Sequence, residues 1–586
     1  MVAAGRRMRA GLPRLGEVRV YLRGMRPQLL LCVLLAGCAS APRTPPSSYD
    51  VVITGGRIVD GTGAPAVDGD VAIRGDRIVR IAASGALADV PTLRRVDAHG
   101  LVVAPGFIDI QAQSEEAHLI GDGRVISKIS QGVTTEILGE GTTPAPASQA
   151  MLDAMSPEDS AMHRVMSSFM GPRGFDAWLS AMQAHGSSVN VGSYLGAAVP
   201  RIFARGYAEG PATPAQVDTM RRVVRDAMRD GAFGVASALI YPPGSYTSTA
   251  ELIAMAQAMA PYHGTYISHI RSEDDQLFEA MDEAFRIGRE GGVPVELYHL
   301  KAAGTKNWSK AAGMVAKIDS ARAAGARVGA TMYTYPASAN GLAACVPPWA
   351  SADGRLLANL RDPATRSRIV RAMTDTARGA PALCQIDPPG VIMVVGLTRP
   401  EVAKYEGWRL DRIAADMQKP WAEAIVELLL ATDGRVGKIT FSMSDANVTM
   451  QLRRPWVVIG SDAEAFDPAV AHGLAHPRAY GTFTRLLGKY VRDEHVLTLE
   501  DAVSRMTSKT AAVLGITDRG RIADGLFADL VLFDPATVGD RATYERPHQL
   551  STGVREVFVN GTSVWRDGAA TGALPGRALR GAGFEN

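Results

Sequence analysis

The sequence predicts an α/β chain: a (β/α)8 TIM-like barrel with a small composite β-sandwich domain drawn from both chain ends. Through residues 105–515 short apolar runs of β type alternate with amphipathic helices, the pattern of stacked βα units. Short strands divided by Gly and Asp turns flank that region on both sides. Chemistry-bearing side chains also recur at strand carboxyl ends, which form the active face of a parallel barrel. A doubly wound open sheet is the rival, but no Gly-rich phosphate loop follows any strand.

At 586 residues, with 46% hydrophobic and 21% charged residues, the chain has an ordinary globular composition. Its net charge of +2 hides an asymmetry. Residues 1–27 carry seven arginines against Glu17, and removing that +6 leaves the rest at −4, with no basic run suited to nucleic acid. Leu29 to Ala36 is too short an apolar run to span a bilayer but suits the centre of a secretory signal. Leu35-Ala36-Gly37-Cys38 resembles a bacterial lipobox. Residues 1–37 therefore read as a lipoprotein-type signal peptide, Cys38 as the lipidation site and the Pro/Ser-rich residues 38–48 as a tether. The expectation is an exported, periplasm-facing protein of the bacterial envelope, meeting the membrane through its lipid alone. Cys345 and Cys384 could pair in such an oxidising compartment, though sequence alone does not bring them together.

Residues 49–104 supply the first part of the β domain: Val51 to Ile53, Arg57 to Val59, Val71 to Ile73, Ile78-Val79, Arg95 to Ala98 and Leu101 to Val103, with glycine-bearing turns between. Residues 516–586 return to that texture in Gly520 to Ile522, Ala528 to Phe533 and Val557 to Val564. Between them, strands are predicted at Thr134 to Leu138, Gly234 to Ala236, Val328 to Met332, Val391 to Val394 and Val457 to Ile459. Helices are predicted at Pro214 to Arg229, Ser248 to Met259, Ala311 to Ala323, Ala422 to Ala431 and Thr498 to Leu514. At the centre lies a strand–helix–strand unit. Thr265 to Ile267 leads to His269, a helix follows over Asp275 to Arg289 with Leu277, Ala280, Ala284, Phe285 and Ile287 at helical spacing, and Val293 to Leu297 leads to His299. Histidines at equivalent ends of successive strands are placed to share one ion. His118, His163, His185, His263, His472 and His495 lack that context and read as surface or loop residues.

Several motifs fall in one order: Pro105-Gly106-Phe107-Ile108-Asp109, Gly132-Val133-Thr134-Thr135, Tyr241-Pro242-Pro243-Gly244, Ser268-His269-Ile270-Arg271-Ser272-Glu273, His299-Leu300-Lys301, Gly460-Ser461-Asp462 and His476 to Phe483. Over nearly the whole chain beyond the leader they resemble the amidohydrolase superfamily, and within it the N-acyl-D-amino-acid deacylases. The resemblance implies a metal-dependent hydrolase of linear amides, acting on an N-acyl-D-amino acid or a related short peptide. Cyclic-amide hydrolysis, and a binding barrel without chemistry, are the alternatives. Two departures stand out. Where the superfamily carries His-X-His, this chain has Gln111 and Gln113, whose amide oxygens are poor ligands for a borderline-soft ion. Where the deacylases tend to place a cysteine, it has Gly141 beside Glu140. The expected ligand set is therefore His269, His299 and Glu140 around one Zn2+ per chain, with an open fourth position. The resemblance implies Asp462 as the catalytic proton carrier, and Lys301, Arg271, Tyr241, Tyr333 and Ser338 as substrate contacts. Residue i+2 of a strand faces as residue i does, which aims Arg271 and Lys301 at the site. Arg478 and Tyr480 carry no assigned role.

Overall fold

The computed structural model describes residues 48–585 apart from 157–158, 376–383 and 385–387. The leader, the tether up to residue 47 and Cys38 lie outside the described residues. No helix among those described is long and apolar enough to cross a membrane.

Eight parallel strands form the barrel among the described residues: β1 (Phe107–Asp109), β2 (Val133–Leu138), β3 (Asn190–Ser193, resumed at Leu195–Gly196), β4 (Gly234–Ala238), β5 (Thr265–His269), β6 (Val295–Leu297), β7 (Val328–Met332) and β8 (Val457–Ile459). They pair in that order. The seam between β8 and β1 closes just past the strand ends, where Asp462 N donates to Gln111 O at 2.8 Å and Gln113 N to Ala463 O at 3.1 Å. Ring closure itself thus brings Gln111, Gln113 and Asp462 to one edge. Every residue of β2 to β5, β7 and β8 is buried, as expected when helices cover one face and the barrel core the other. β3 went unpredicted because Asn190-Val191-Gly192-Ser193 shows neither alternation nor a long apolar run.

The helices follow local rules. Pro214–Arg229 opens on a Thr213–Gln216 capping box with proline in its first turn, and buries Met220, Val223, Val224, Ala227 and Met228. Leu277–Gly291, which joins β5 to β6, buries Leu277, Ala280, Met281, Ala284 and Ile287 and ends at left-handed Gly292. The predicted helix Thr498 to Leu514 divides at Thr507 into Leu499–Met506 and Ser508–Leu514.

Two predicted barrel elements belong elsewhere. Ile392–Val395 pairs antiparallel with Gly437–Thr440, which pairs on its other edge with Ser338–Gly341. This three-stranded sheet, the helix Trp421–Ala431 and the Cys345–Cys384 disulfide belong to an insertion between β7 and β8 with its own core of Leu342, Leu360, Ile369, Val394, Ile425 and Leu428. Both chain ends meet in a nine-stranded sheet, where Val102–Pro105 from the first part pairs with Leu530–Phe533 from the second. Val51, Ile73 and Val103 share one core there with Leu530, Leu532 and Phe558.

Candidate metal centre and substrate cavity

Glu140, His269 and His299 converge. Glu140 Oε1 lies 3.2 Å from both His269 Nδ1 and His299 Nε2, and the two nitrogens are 3.0 Å apart. These separations approach the edge of a tetrahedron, roughly 3.3 Å for ligand bonds of about 2.0–2.1 Å. Among the described residues this is the one His/Cys/Asp/Glu cluster with metal-ligand spacing. Local backbone makes it possible. Glu140 sits between Gly139 (φ +107°) and Gly141 (φ +75°), where a Cβ would come within 2.3 Å of Tyr194 O and 2.7 Å of Ala238 Cβ. His269 ends β5, whereas His299 lies two residues past β6 at φ +35°. Asp462 holds φ +53°, so two of the four central side chains stand on backbone that L-residues adopt at a cost of about 1–3 kcal/mol.

Glu273 underpins both imidazoles. One of its oxygens is 2.9 Å from His299 Nδ1 and accepts from Lys301 Nζ at 2.6 Å; the other is 3.6 Å from His269 Nε2. Lys301 Nζ also lies 2.7 Å from His299 Nδ1, so a carboxylate and an ammonium both stand behind this imidazole, whose Nε2 faces Glu140. Burial and Lys301 oppose charge on His299, but Glu273, Asp462 and Glu140 outweigh them and hold its pKa up at about 9. Against the cost of burial, the two imidazoles hold the Glu140 carboxyl well below the usual range. Three convergent donors that demand positive charge at their midpoint fit a divalent cation.

Gln111 and Gln113 occupy the place of the missing histidines, and as donors. Gln111 Nε2 donates to Glu140 Oε2 at 2.7 Å while its Oε1 accepts from Thr331 Oγ1 at 2.9 Å. Gln113 Nε2 donates to Asp462 Oδ1 at 3.0 Å. The other Asp462 oxygen accepts from Arg478, whose guanidinium lies over the Tyr333 ring. Burial raises the pKa of Asp462, and Arg478 limits the rise.

A cavity of about 260 Å³ opens onto these groups. Tyr241 and Ser338 line it, and Asn340 Nδ2 donates to Tyr241 Oη at 3.0 Å. Lys301 lines it too, bound to Glu273. Tyr333 is buried behind the site, its hydroxyl 3.3 Å from Met443 Sδ. Arg271 departs from expectation. It pairs with Glu283 and donates to Ser245 O and Thr247 O, away from the cavity. The i+2 rule fails because β5 ends at His269 and the chain turns before Arg271. Another correction concerns His118, which is fully buried with Nε2 2.7 Å from Glu136; the other five surface or loop histidines are exposed. Sequence reasoning quoted Glu273 and Arg478 within motifs without a role. It passed over Asn340, Lys438 and Thr440, which reach the cavity only because the insertion folds over the barrel mouth.

A parallel barrel with a carboxylate, two imidazoles and a buried aspartate at its strand ends fits the class of metal-dependent barrel hydrolases. The chain belongs to the amidohydrolase family, whose pattern matches residues 196–565. It is 34% identical over 532 residues to a D-aminoacylase of Alcaligenes xylosoxydans xylosoxydans, covering 91% of this chain and 97% of that one. Among solved structures it is similar to the N-acyl-D-glutamate deacylase of Bordetella bronchiseptica complexed with zinc and a phosphonate mimic of the tetrahedral intermediate (32% identity, TM-score 0.75, covering 91% of this chain and 100% of that one). It is also similar to a D-aminoacylase whose binuclear centre shows one-metal activation and second-metal attenuation (31% identity, TM-score 0.74, covering 91% of this chain and 100% of that one).

Proposed function

We propose that this chain is a zinc-dependent deacylase of N-acyl-D-amino acids or related D-residue peptides, working with one ion per chain. The observation that carries the reading is the convergence of Glu140, His269 and His299 beside Asp462 on one cavity wall. The chemistry such an ion supplies when bound is acidification of a water and polarisation of the scissile carbonyl. Zinc suits two imidazoles and a carboxylate, and the related D-glutamate deacylase carries it. A count of one is supported by Gln111 and Gln113, which turn amide N–H groups toward Glu140 and Asp462 where a second cation would need acceptors.

The chain's own residues then divide the work. Asp462, held on one oxygen by Gln113 and on the other by Arg478, takes a proton from the attacking water and delivers it to the leaving nitrogen. Burial raises the pKa of Tyr241 above its ordinary value, so the phenol stays protonated. Because its oxygen accepts from Asn340, its proton is available to the developing oxyanion. Lys301 fixes Glu273 and so holds His299 in place.

Paired D- and L-N-acyl amino acids, with hydantoins and dihydropyrimidines as ring controls, are the test on zinc-reconstituted protein. Hydrolysis of D-substrates is expected; turnover of rings alone, or of nothing, overturns the reading. The proposal includes export and lipid attachment at Cys38, supported by the arginine-rich leader and the lipobox-like run. Cys38→Ser should move the protein out of the membrane fraction, and retention there contradicts the anchor.

A further inference from the structure

Two amides point N–H groups at the carboxylates of the centre, and a hydroxyl outside the ligand set fixes one of them. Gln111 Nε2 donates to Glu140 Oε2 at 2.7 Å. Gln113 Nε2 donates to Asp462 Oδ1 at 3.0 Å and lies 3.4 Å from that same Glu140 oxygen, so it stands between the two carboxylates. Glu140 is thereby divided: Oε1 faces the imidazoles and Oε2 faces amide N–H groups.

The sense of the Gln111 amide follows from its neighbours. Thr331 Oγ1 accepts from His299 N at 2.8 Å, and its own proton goes to Gln111 Oε1 at 2.9 Å. Turned about, the amide would set its oxygen against a carboxylate oxygen and leave the Thr331 proton without an acceptor. Thr331 and Gln111 are both buried, so a bond broken there is not repaired by bulk water. The Gln111 backbone is pinned as well, its carbonyl accepting from Asp462 N across the barrel seam.

To sit between Glu140 and Asp462, a second cation would have to displace Gln113 and turn the Gln111 amide. Amide oxygens would then complete its ligand set, poor ones for a borderline-soft ion. The related D-aminoacylase with a binuclear centre shows second-metal attenuation. From this we propose that Gln111 and Gln113 replace a second ion with neutral donors and make the centre indifferent to excess divalent ion, with Thr331 as the positioning residue that keeps the Gln111 amide in that sense. The inference rests on the one-ion deacylase reading and adds what excludes the other ion.

The test compares wild type, Gln111→His/Gln113→His, Thr331→Val and Thr331→Ser over a graded excess of free zinc. Ion content is read by equilibrium dialysis, beside absorption spectra of cobalt-loaded protein and kcat/KM on an N-acyl-D-amino acid. Wild type should hold one ion throughout and keep its activity. Gln111→His/Gln113→His should take up a second ion, with a changed cobalt spectrum and activity falling in step. Thr331→Val should admit a second ion about 10- to 100-fold more weakly than that variant, and Thr331→Ser should behave as wild type. A second ion entering wild type at high zinc, none entering Gln111→His/Gln113→His, or Thr331→Val matching wild type overturns the proposal. The wild-type series decides even where a variant does not fold. The reading beneath fails separately: dialysed wild type without added zinc would hold two ions or none, or D-substrates would not be turned over.

Discussion

Two buried polar clusters adjoin at the top of the barrel, built from similar parts and sharing β2, with the residues that follow it, and the segment after β8. In the first, Lys128 Nζ donates to Asp109 Oδ2, Ser461 Oγ and Ala463 O, each at 2.8 Å, and lies 3.1 Å from Glu136 Oε1. Glu136 also accepts from Ser114 and meets His118. Burial alone would raise its pKa, but Lys128 and His118 bring it down to about 2. In the second cluster Glu140 lies four residues beyond Glu136 and Asp462 one beyond Ser461, while His269 and His299 come from β5 and just past the end of β6. No lysine ammonium lies within its three converging donors, and positive charge must arrive as a proton on His299 or as an ion. Buried carboxylates and imidazoles are thus not enough to make a metal site. What separates the two is whether a cation of the chain sits between the converging donors: Lys128 does in the first, whereas Lys301 and Arg478 stand outside the Glu140, His269 and His299 set.

Asp462→Asn should cost most, removing about 10²–10⁴ of turnover while leaving the ion in place, because it deletes proton transfer alone. Metal analysis beside kinetics checks this, and an active variant breaks the assignment. Lys128→Met should instead cost roughly 3–5 kcal/mol of stability by leaving buried carboxylates unpaired. Urea unfolding measures the loss, and the folded fraction should still bind one ion; loss of the ion without loss of stability would merge the clusters the comparison separates. Glu273→Gln removes the carboxylate behind both imidazoles and should weaken ion binding about 10- to 100-fold, seen as a lower chelator concentration at half-inactivation. The smallest effect at neutral pH is that of acid. Glu136 has a folded pKa of about 2 against an ordinary 4.5, so its stabilisation is complete above about 4.5 and is lost as pH falls toward about 2. Glu136→Gln should therefore be less stable than wild type at neutral pH, with a flatter decline on the acid side; parallel urea midpoints down the acid range would contradict it.

Much of this was legible in the sequence, for local reasons. A histidine closing an apolar run, twice, marks strand ends on one face, and β5 and β6 put both side chains in one place. Glycines on either side of Glu140 signalled backbone freedom that the packing against Tyr194 and Ala238 uses. What escaped depends on long-range partners. Val391 to Val394 has the composition of a barrel strand, and only its pairing with Gly437–Thr440 shows that it belongs to the insertion. Arg271 obeys strand alternation only as far as the strand extends. His118 gave no sign of burial because its partner Glu136 lies on another element. Lys438 stands in no motif, and its place in the cavity comes from the folding of one sheet over another.

The most direct test of the account is the ion content of dialysed protein, wild type beside Glu140→Ala, His269→Ala and His299→Ala. One tightly held zinc per wild-type chain, lost with activity in each variant while the fold persists, is the predicted result. Two tightly held ions in the wild type, or one retained after removal of any of these three side chains, would contradict it.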